Sequence, residues 1–323
     1  MHGGQACIRA KFAGRKTIMR TKAAGSPARG GSAVERTLPF KSPYDWPSII
    51  EFYRSHSIPG VEHVADGAYS RMFRINHRVG AVRVRACAGR PALRVRITPD
   101  DPAVIPEVLR RVRKMFDTDC DPMVIVDRLS SIPLLAALCR RSPGLRVARG
   151  WDLFETGVCT ILGQLVSTQH RTNLIGQLVT HYGEEIRDPL SEKCSRLFPA
   201  AETLALSDLS AVRTTAARRE AIRDFSRRVL NGAISLHDGQ DPAAFRRALL
   251  ETKGLGPWSA EYISLRAIGD PDSFPKTDLI LKRVLAHHPN MNLAPLKPWR
   301  SYAAIYLWKE FAQRLSKGKG KRA

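Results

Sequence analysis

The chain has 323 residues, 43% of them apolar, enough for a sizeable core spread over two or three subdomains; no apolar run approaches the roughly 20 residues a membrane-spanning helix needs, so no membrane partner is expected. Lys and Arg total 52 against 30 Asp and Glu, a net charge of +22; residues 1–36 carry +7 of it and residues 314–323 carry +5, which leaves +10 in the body. A basic body suits a polyanionic partner, most simply nucleic acid, or a solubilising surface, and charge alone does not separate the two.

Residues 1–36 are rich in Gly, Ala and basic side chains with no sustained apolar period, and read as a disordered basic arm. The arm is acid-poor, as organellar transit peptides are, but the arm reading is preferred and organellar targeting is not expected. Ordered structure is expected from near Leu38. A helix from about Asp45 to Ser55 offers Ile49, Ile50, Phe52 and Tyr53 to a core. The period then becomes two: Val82 and Val84 alternate with Arg83 and Arg85, and Leu93, Val95 and Ile97 alternate with Arg94 and Arg96. That is an antiparallel sheet with one buried and one wet face, turning at AGRP, 88–91. Asp101 and Pro102 predict the start of a helix whose apolar stripe runs from Val104 to Phe116. These elements make a small α+β subdomain over residues 37–120.

From residue 121 helical periods dominate. Asp152 and Glu155 resemble a capping box opening a helix to about Ser167. Further helices are predicted near 171–182, 201–207, 217–231, 242–252, 257–268, 278–287 and 299–314, with a basic tail at 315–323. The fold class is therefore α+β, a small antiparallel-sheet subdomain followed by an all-α body. The six cysteines, Cys7, Cys87, Cys120, Cys139, Cys159 and Cys194, have no pair at metal-ligand spacing, so a zinc or iron–sulfur site is not expected. No secretory signal is evident, and free thiols in a reducing cytoplasm are the expectation.

The stretch from Glu251 to Leu285 is the most informative. A helix ends at Thr252; Gly254 and Gly256 allow a tight turn, and Pro257 suits the first position of the next helix. The N–H groups of such a turn, with Leu255 between the glycines, suit a phosphate oxygen, and its carbonyls near Gly254 and Gly256 suit a monovalent cation. An ordinary tight helix connection has the same pattern. Trp258 and Tyr262 are four residues apart, hence on one helix face, where plain core is the usual role. Asp278, twenty residues after Trp258, precedes the helix LILKRVL. It reads as a helix cap, or as a fixed carboxylate able to support positive charge on a sugar ring as a glycosidic bond breaks.

This order of hairpin, Gly-x-Gly and aspartate resembles the helix-hairpin-helix, Gly/Pro-rich loop and aspartate motif of a DNA glycosylase superfamily. Within it the chain most resembles the 3-methyladenine DNA glycosylase II family. PYDW at 43–46 matches that family's opening. PGLRVARGWDLFETGVCTILGQLVS at 143–167 resembles its entry helix and DNA-wedge loop, GLGPWSAEYISLRA its hairpin, and KPWRSYAAIYLW at 297–308 its C-terminal motif. The resemblance covers roughly residues 38–313.

The resemblance implies a base flipped out of duplex DNA, with Leu165 as the wedge and Gln164 as a neighbour touching the gap or the opposite strand. Taken alone, Leu165 reads as an ordinary core leucine. Trp258, Tyr262 and Trp299 match the family's aromatic pocket, where ring faces attract a cationic alkylated base. Asp278 matches the catalytic aspartate. In strand-cutting relatives a nucleophilic lysine occupies the slot that holds Trp258 here, so a Schiff-base lyase step is not expected. One departure is LSAVRTTAARREAIRDF, 209–225, whose turn lacks the glycine common in the family. The implied protein is a monomeric, cofactor-free hydrolase of the bacterial cytoplasm that excises alkylated bases such as 3-methyladenine and 7-methylguanine from double-stranded DNA. The competing readings are a noncatalytic DNA-binding protein and a glycosylase for oxidised or deaminated bases.

Overall fold

The computed structural model describes residues 32–186, 193–237 and 239–319. Residues 1–31 of the expected basic arm and the last four residues of the tail lie outside the described residues. Strand β1 (Val34–Pro39) begins inside the segment read as an arm: only Val34 and Leu38 are buried along it, too few to register as a period in a Gly/Arg-rich context. Next come α1 (Trp46–His56), β2 (Glu62–Ala65), β3 (Ala68–Ile75), β4 (Arg78–Ala86), β5 (Ala92–Thr98) and α2 (Ile105–Met115). The body is α3 (Pro122–Leu129), α4 (Pro133–Arg141), α5 (Leu153–Gly163), α6 (Thr168–Tyr182), α7 (Ala201–Leu206), α8 (Ala216–Leu230), α9 (Pro242–Leu250), α10 (Pro257–Ile263), α11 (Leu279–Ala286) and α12 (Arg300–Lys319). The predicted α+β architecture is thus present. No helix among the described residues is long and apolar enough to cross a membrane, and the five described cysteines form no disulfide.

The sheet is antiparallel throughout, in the order β1-β5-β4-β3-β2. One face buries Val82, Val84, Leu93, Val95 and Ile97 against α1 and α2. Helix α1 opens close to the expected start at Asp45, which accepts from Ser48 N (3.0 Å), with Pro47 in the first turn. The Asp101–Pro102 pair does not cap α2. Asp101 Oδ1 accepts from Ala103 N (2.9 Å), closing a local turn, and the helix starts only at Ile105. Helix α5 has the predicted cap, Asp152 accepting from Glu155 N (2.8 Å), but ends at Gly163 rather than near Ser167. The turn before α8 manages without glycine because Leu209 itself takes φ +57° and is fully buried.

Two polar junctions join sheet and body. Arg71 on β3 is 1% exposed and places Nη2 2.7 and 3.0 Å from the Glu155 carboxylate on α5, with Nη1 3.0 Å from Glu62 on β2. At the other end Lys309 Nζ on α12 donates to Asp45 Oδ2 and Ser48 Oγ, each 2.7 Å away. Glu62 and Glu155 of the first junction line the cavity described next.

Candidate active site

Helices α9 and α10 and the turn between them form the predicted hairpin. Gly254 has φ +79°, and a Cβ there would lie 3.0 Å from Ala221 on α8, so the turn needs glycine both for its backbone and for close approach. A Cβ at Gly256 would meet nothing within 4 Å, so this side of the turn is bare. Helix α10 has no side-chain cap. The Leu255 side chain is buried in the helical core and its N–H donates to Thr252 O (3.1 Å), so this residue anchors the turn and does not present itself to a ligand. The Gly254 carbonyl accepts from Gln164 Nε2 (3.0 Å), which occupies one lone pair of the expected cation site.

Gln164 is the C-cap of α5, and its Nε2 also donates to Ser259 Oγ (2.8 Å) while its carbonyl accepts from Arg218 Nη2 (2.6 Å). Its side chain therefore tethers the α5–α6 loop to the hairpin. Leu165, next along, has φ +55° and is 96% exposed. A leucine in left-handed backbone, projecting fully into solvent beside a pinned residue, is not a core leucine. It has the geometry of a wedge.

Asp278 caps α11: Oδ1 accepts from Ile280 N (3.0 Å) and Leu281 N (3.1 Å). Two indoles complete its setting, Trp308 Nε1 on Oδ1 and Trp258 Nε1 on Oδ2, both at 3.0 Å. Oδ2 thus has one protein donor and keeps a lone pair for another partner. Trp258 stacks on Tyr262 (5.1 Å, 15°), and Trp308 meets Tyr262 edge-on (6.1 Å, 61°). Trp299 is not in this group. It lies edge-on to Tyr302 in the core around α12, because it precedes the helix while Trp308 lies nine residues, or roughly 13 Å of helix rise, further along. The indole the site needs is Trp308, at the far end of the same KPWRSYAAIYLW segment. Its signal was the helical period of that segment, which places Tyr302 and Tyr306 inward and Trp308 near the end.

Asp278, Trp258 and Tyr262 open on a cavity of about 310 Å³, within the size range of small-molecule sites. Its lining includes Trp258, Tyr262, Asp278, Trp151, His56 and Arg266. Sequence reasoning missed Arg266: buried, donating to Ala148 O (2.7 Å), its guanidinium is 5.6 Å from the ring centroids of both Tyr262 and Trp308. Its Nε has no hydrogen-bond partner among the described residues, nor do Arg149 Nε and Arg171 Nη1 on the same cavity wall. Burial, reinforced by Arg171 and Arg266, pushes the His56 imidazole down to about 3, so it is neutral at ordinary pH. Burial likewise pushes the Glu155 carboxyl upward, against the pull of Arg71.

The chain is similar to known proteins. A family model described as the AlkA N-terminal domain matches residues 35–152. The DNA-3-methyladenine glycosylase 2 of Escherichia coli strain K12 is 30% identical over 282 residues, covering 84% of this chain and 96% of the relative. The "Probable bifunctional transcriptional activator/DNA repair enzyme AlkA" of Mycobacterium tuberculosis is 32% identical over 316 residues, and this chain spans 62% of its length. In structure, a 3-methyladenine DNA glycosylase from Archaeoglobus fulgidus superposes with a TM-score of 0.73 at 18% identity, covering 86% of this chain and 98% of that one; at this identity the match speaks for the fold alone.

Proposed function

Because the chain belongs to the DNA-3-methyladenine glycosylase 2 (AlkA) family, we propose that it is a monofunctional DNA glycosylase that hydrolyses the N-glycosidic bond of alkylated bases flipped out of duplex DNA. The observation that carries this is the Asp278 carboxylate, held at a cavity wall by two indole N–H groups and two backbone N–H groups with one lone pair left over. Leu165 fills the gap left by the extruded nucleotide. The base enters beside Trp258 and Tyr262, whose ring faces attract a cationic alkylated base by about 0.5–2 kcal/mol each. Such a base is already a good leaving group, so no acid is needed to protonate it. As the bond to C1′ breaks, the pair of electrons leaves with the base. The fixed carboxylate supports the oxocarbenium-like sugar, and Oδ2 accepts a proton from the attacking water. The product is a free base and an abasic site. Lyase chemistry is not expected, since Trp258 occupies the slot of a Schiff-base lysine and no lysine is among the cavity-lining residues. We place the protein in the bacterial cytoplasm, acting as a monomer.

A second reading is favoured by one observation. Arg149, Arg171 and Arg266 line the same cavity, and guanidinium N–H groups suit a base with exocyclic carbonyl oxygens, as deaminated and oxidised purines have. Chromatography of bases released from methylated duplex and from hypoxanthine-containing duplex separates the readings. Release of 3-methyladenine and 7-methylguanine without covalent trapping by borohydride is the expected result. Release from the hypoxanthine substrate alone favours the second reading, and release from neither removes both.

A further inference from the structure

The wet face of the sheet carries an arrangement that the excision reaction does not use. Arg83 and Arg85 on β4 stand directly opposite Arg96 and Arg94 on β5, so two like-charged pairs face each other across one ladder. Like charges in directly opposed positions destabilise a sheet. Glu35 on β1, opposite Arg96 in the register, is the single acid in the cluster, and its carboxylate is 4.0 Å from Arg94 Nε. Arg83, Arg85 and Arg96 make no ion pair with any described residue; Arg90, in the adjoining turn, donates to Thr37 Oγ1 (3.3 Å) at the rim. The five residues Glu35, Arg83, Arg85, Arg94 and Arg96 line a concavity of about 220 Å³. The neighbouring part of this face, at Met72 and Ala81, is covered by Cys194 and Leu197, so the arginines are what is left open.

We propose that this arginine face is a second docking surface for the DNA phosphate backbone, outside the site that receives the base. The inference rests on the reading of DNA as the partner. Four guanidinium groups on a grid roughly 5 by 7 Å, set by strand spacing and by the two-residue repeat, exceed what one small anion can neutralise and suit successive phosphates. The preceding segment of the chain is no candidate occupant, since residues 1–31 contain seven Lys and Arg and no acid. Contacts of this kind add affinity and orientation without reading sequence. They also explain why a costly cluster is kept: repulsion across the ladder is relieved when phosphates lie on it.

The test compares the full-length protein with R83Q/R85Q/R94Q/R96Q and with Glu35→Gln, using labelled undamaged duplexes of about 12 and about 40 base pairs over about 50 to 200 mM salt. On the longer duplex the quadruple variant is expected to bind more weakly and to lose about two to four units of the slope of log affinity against log salt, at about 0.9 per phosphate contact released. On the shorter duplex the difference shrinks. Glu35→Gln is expected to tighten binding and steepen the slope, an effect that misfolding does not produce. The quadruple variant is expected to melt no lower than wild type and to keep the single-turnover excision rate at saturating DNA. Unchanged affinity and slope in the folded quadruple variant would overturn the proposal. So would arginine-dependent binding to anionic phospholipid vesicles with no change on DNA. A wild type that releases no base yet shows these shifts sinks the excision reading and leaves this one standing.

Discussion

Four donors from three helices converge on the Asp278 carboxylate: the backbone of α11, Trp258 on α10 and Trp308 on α12. Replacing Trp308 by Phe removes one indole donor from the carboxylate and keeps an aromatic ring at the position. Trp308→Phe is expected to slow single-turnover excision by about 10- to 100-fold, since a hydrogen bond to a charged group contributes about 1.5–3 kcal/mol, while duplex affinity barely moves. An unchanged rate would show that the carboxylate does not need its second indole. His56 supplies the pH-dependent prediction. Its folded value of about 3 lies below the usual imidazole value, so the unfolded chain binds the proton more readily. The stability this gives is fully present above about pH 6.5 and is lost as pH falls from there toward about 3. Thermal melts from pH 7.5 to 5 should show a steeper fall for wild type than for His56→Gln. Equal slopes would mean that His56 is not held neutral. At this scale the cap at Asp278 and the shared face of Trp258 and Tyr262 were legible from local spacing, while their place at a site came from the family resemblance. It misplaced the third aromatic: Trp299 and Trp308 sit in one segment, and only the axial rise of α12 decides which indole reaches α11.

The α5–α6 loop is where an element's end does the work. The capping pair at Asp152 and Glu155 predicts where α5 begins, but nothing local predicts its stop at Gly163. The stop is imposed from a distance, by Gln164 bridging to Gly254 and Ser259 and by Arg218 on the Gln164 carbonyl. That bracing holds Leu165 in left-handed backbone, a conformation costing of order 1–3 kcal/mol for a non-glycine residue. Leu165→Gly is therefore expected to leave stability unchanged or raised by about 1 kcal/mol in urea unfolding. The same change should cut excision from duplex about tenfold or more, because the wedge offsets unstacking that costs a few kcal/mol, and should barely affect single-stranded substrate. Loss of stability together with excision would return Leu165 to a structural role. Helices with long apolar stripes and strands with clean alternation were legible. The short β1 and the glycine-free turn at Leu209 were not, because tertiary contacts override local preference there, and the start of α2 was not, because Asp101 closes a local turn instead of capping the helix.

Across the whole molecule, charge and chemistry are carried by different parts. Of the net charge of +22, +12 belongs to residues 1–36 and 314–323 and +10 to the body between them, so attraction to a polyanion is not confined to the cavity. The cavity, by contrast, is assembled where the lobes meet: Arg71 ties the sheet to α5, and Lys309 ties α12 to α1 at the other end. Binding and bond cleavage should then separate cleanly when one carboxylate is neutralised. The most direct measurement is single-turnover excision from a duplex carrying one alkylated base, made alongside duplex affinity, for wild type and Asp278→Asn. The predicted result is wild-type affinity with excision reduced by about 100-fold or more, the scale expected when one preorganised electrostatic group is removed. Excision by Asp278→Asn at the wild-type rate would contradict the assignment of this carboxylate.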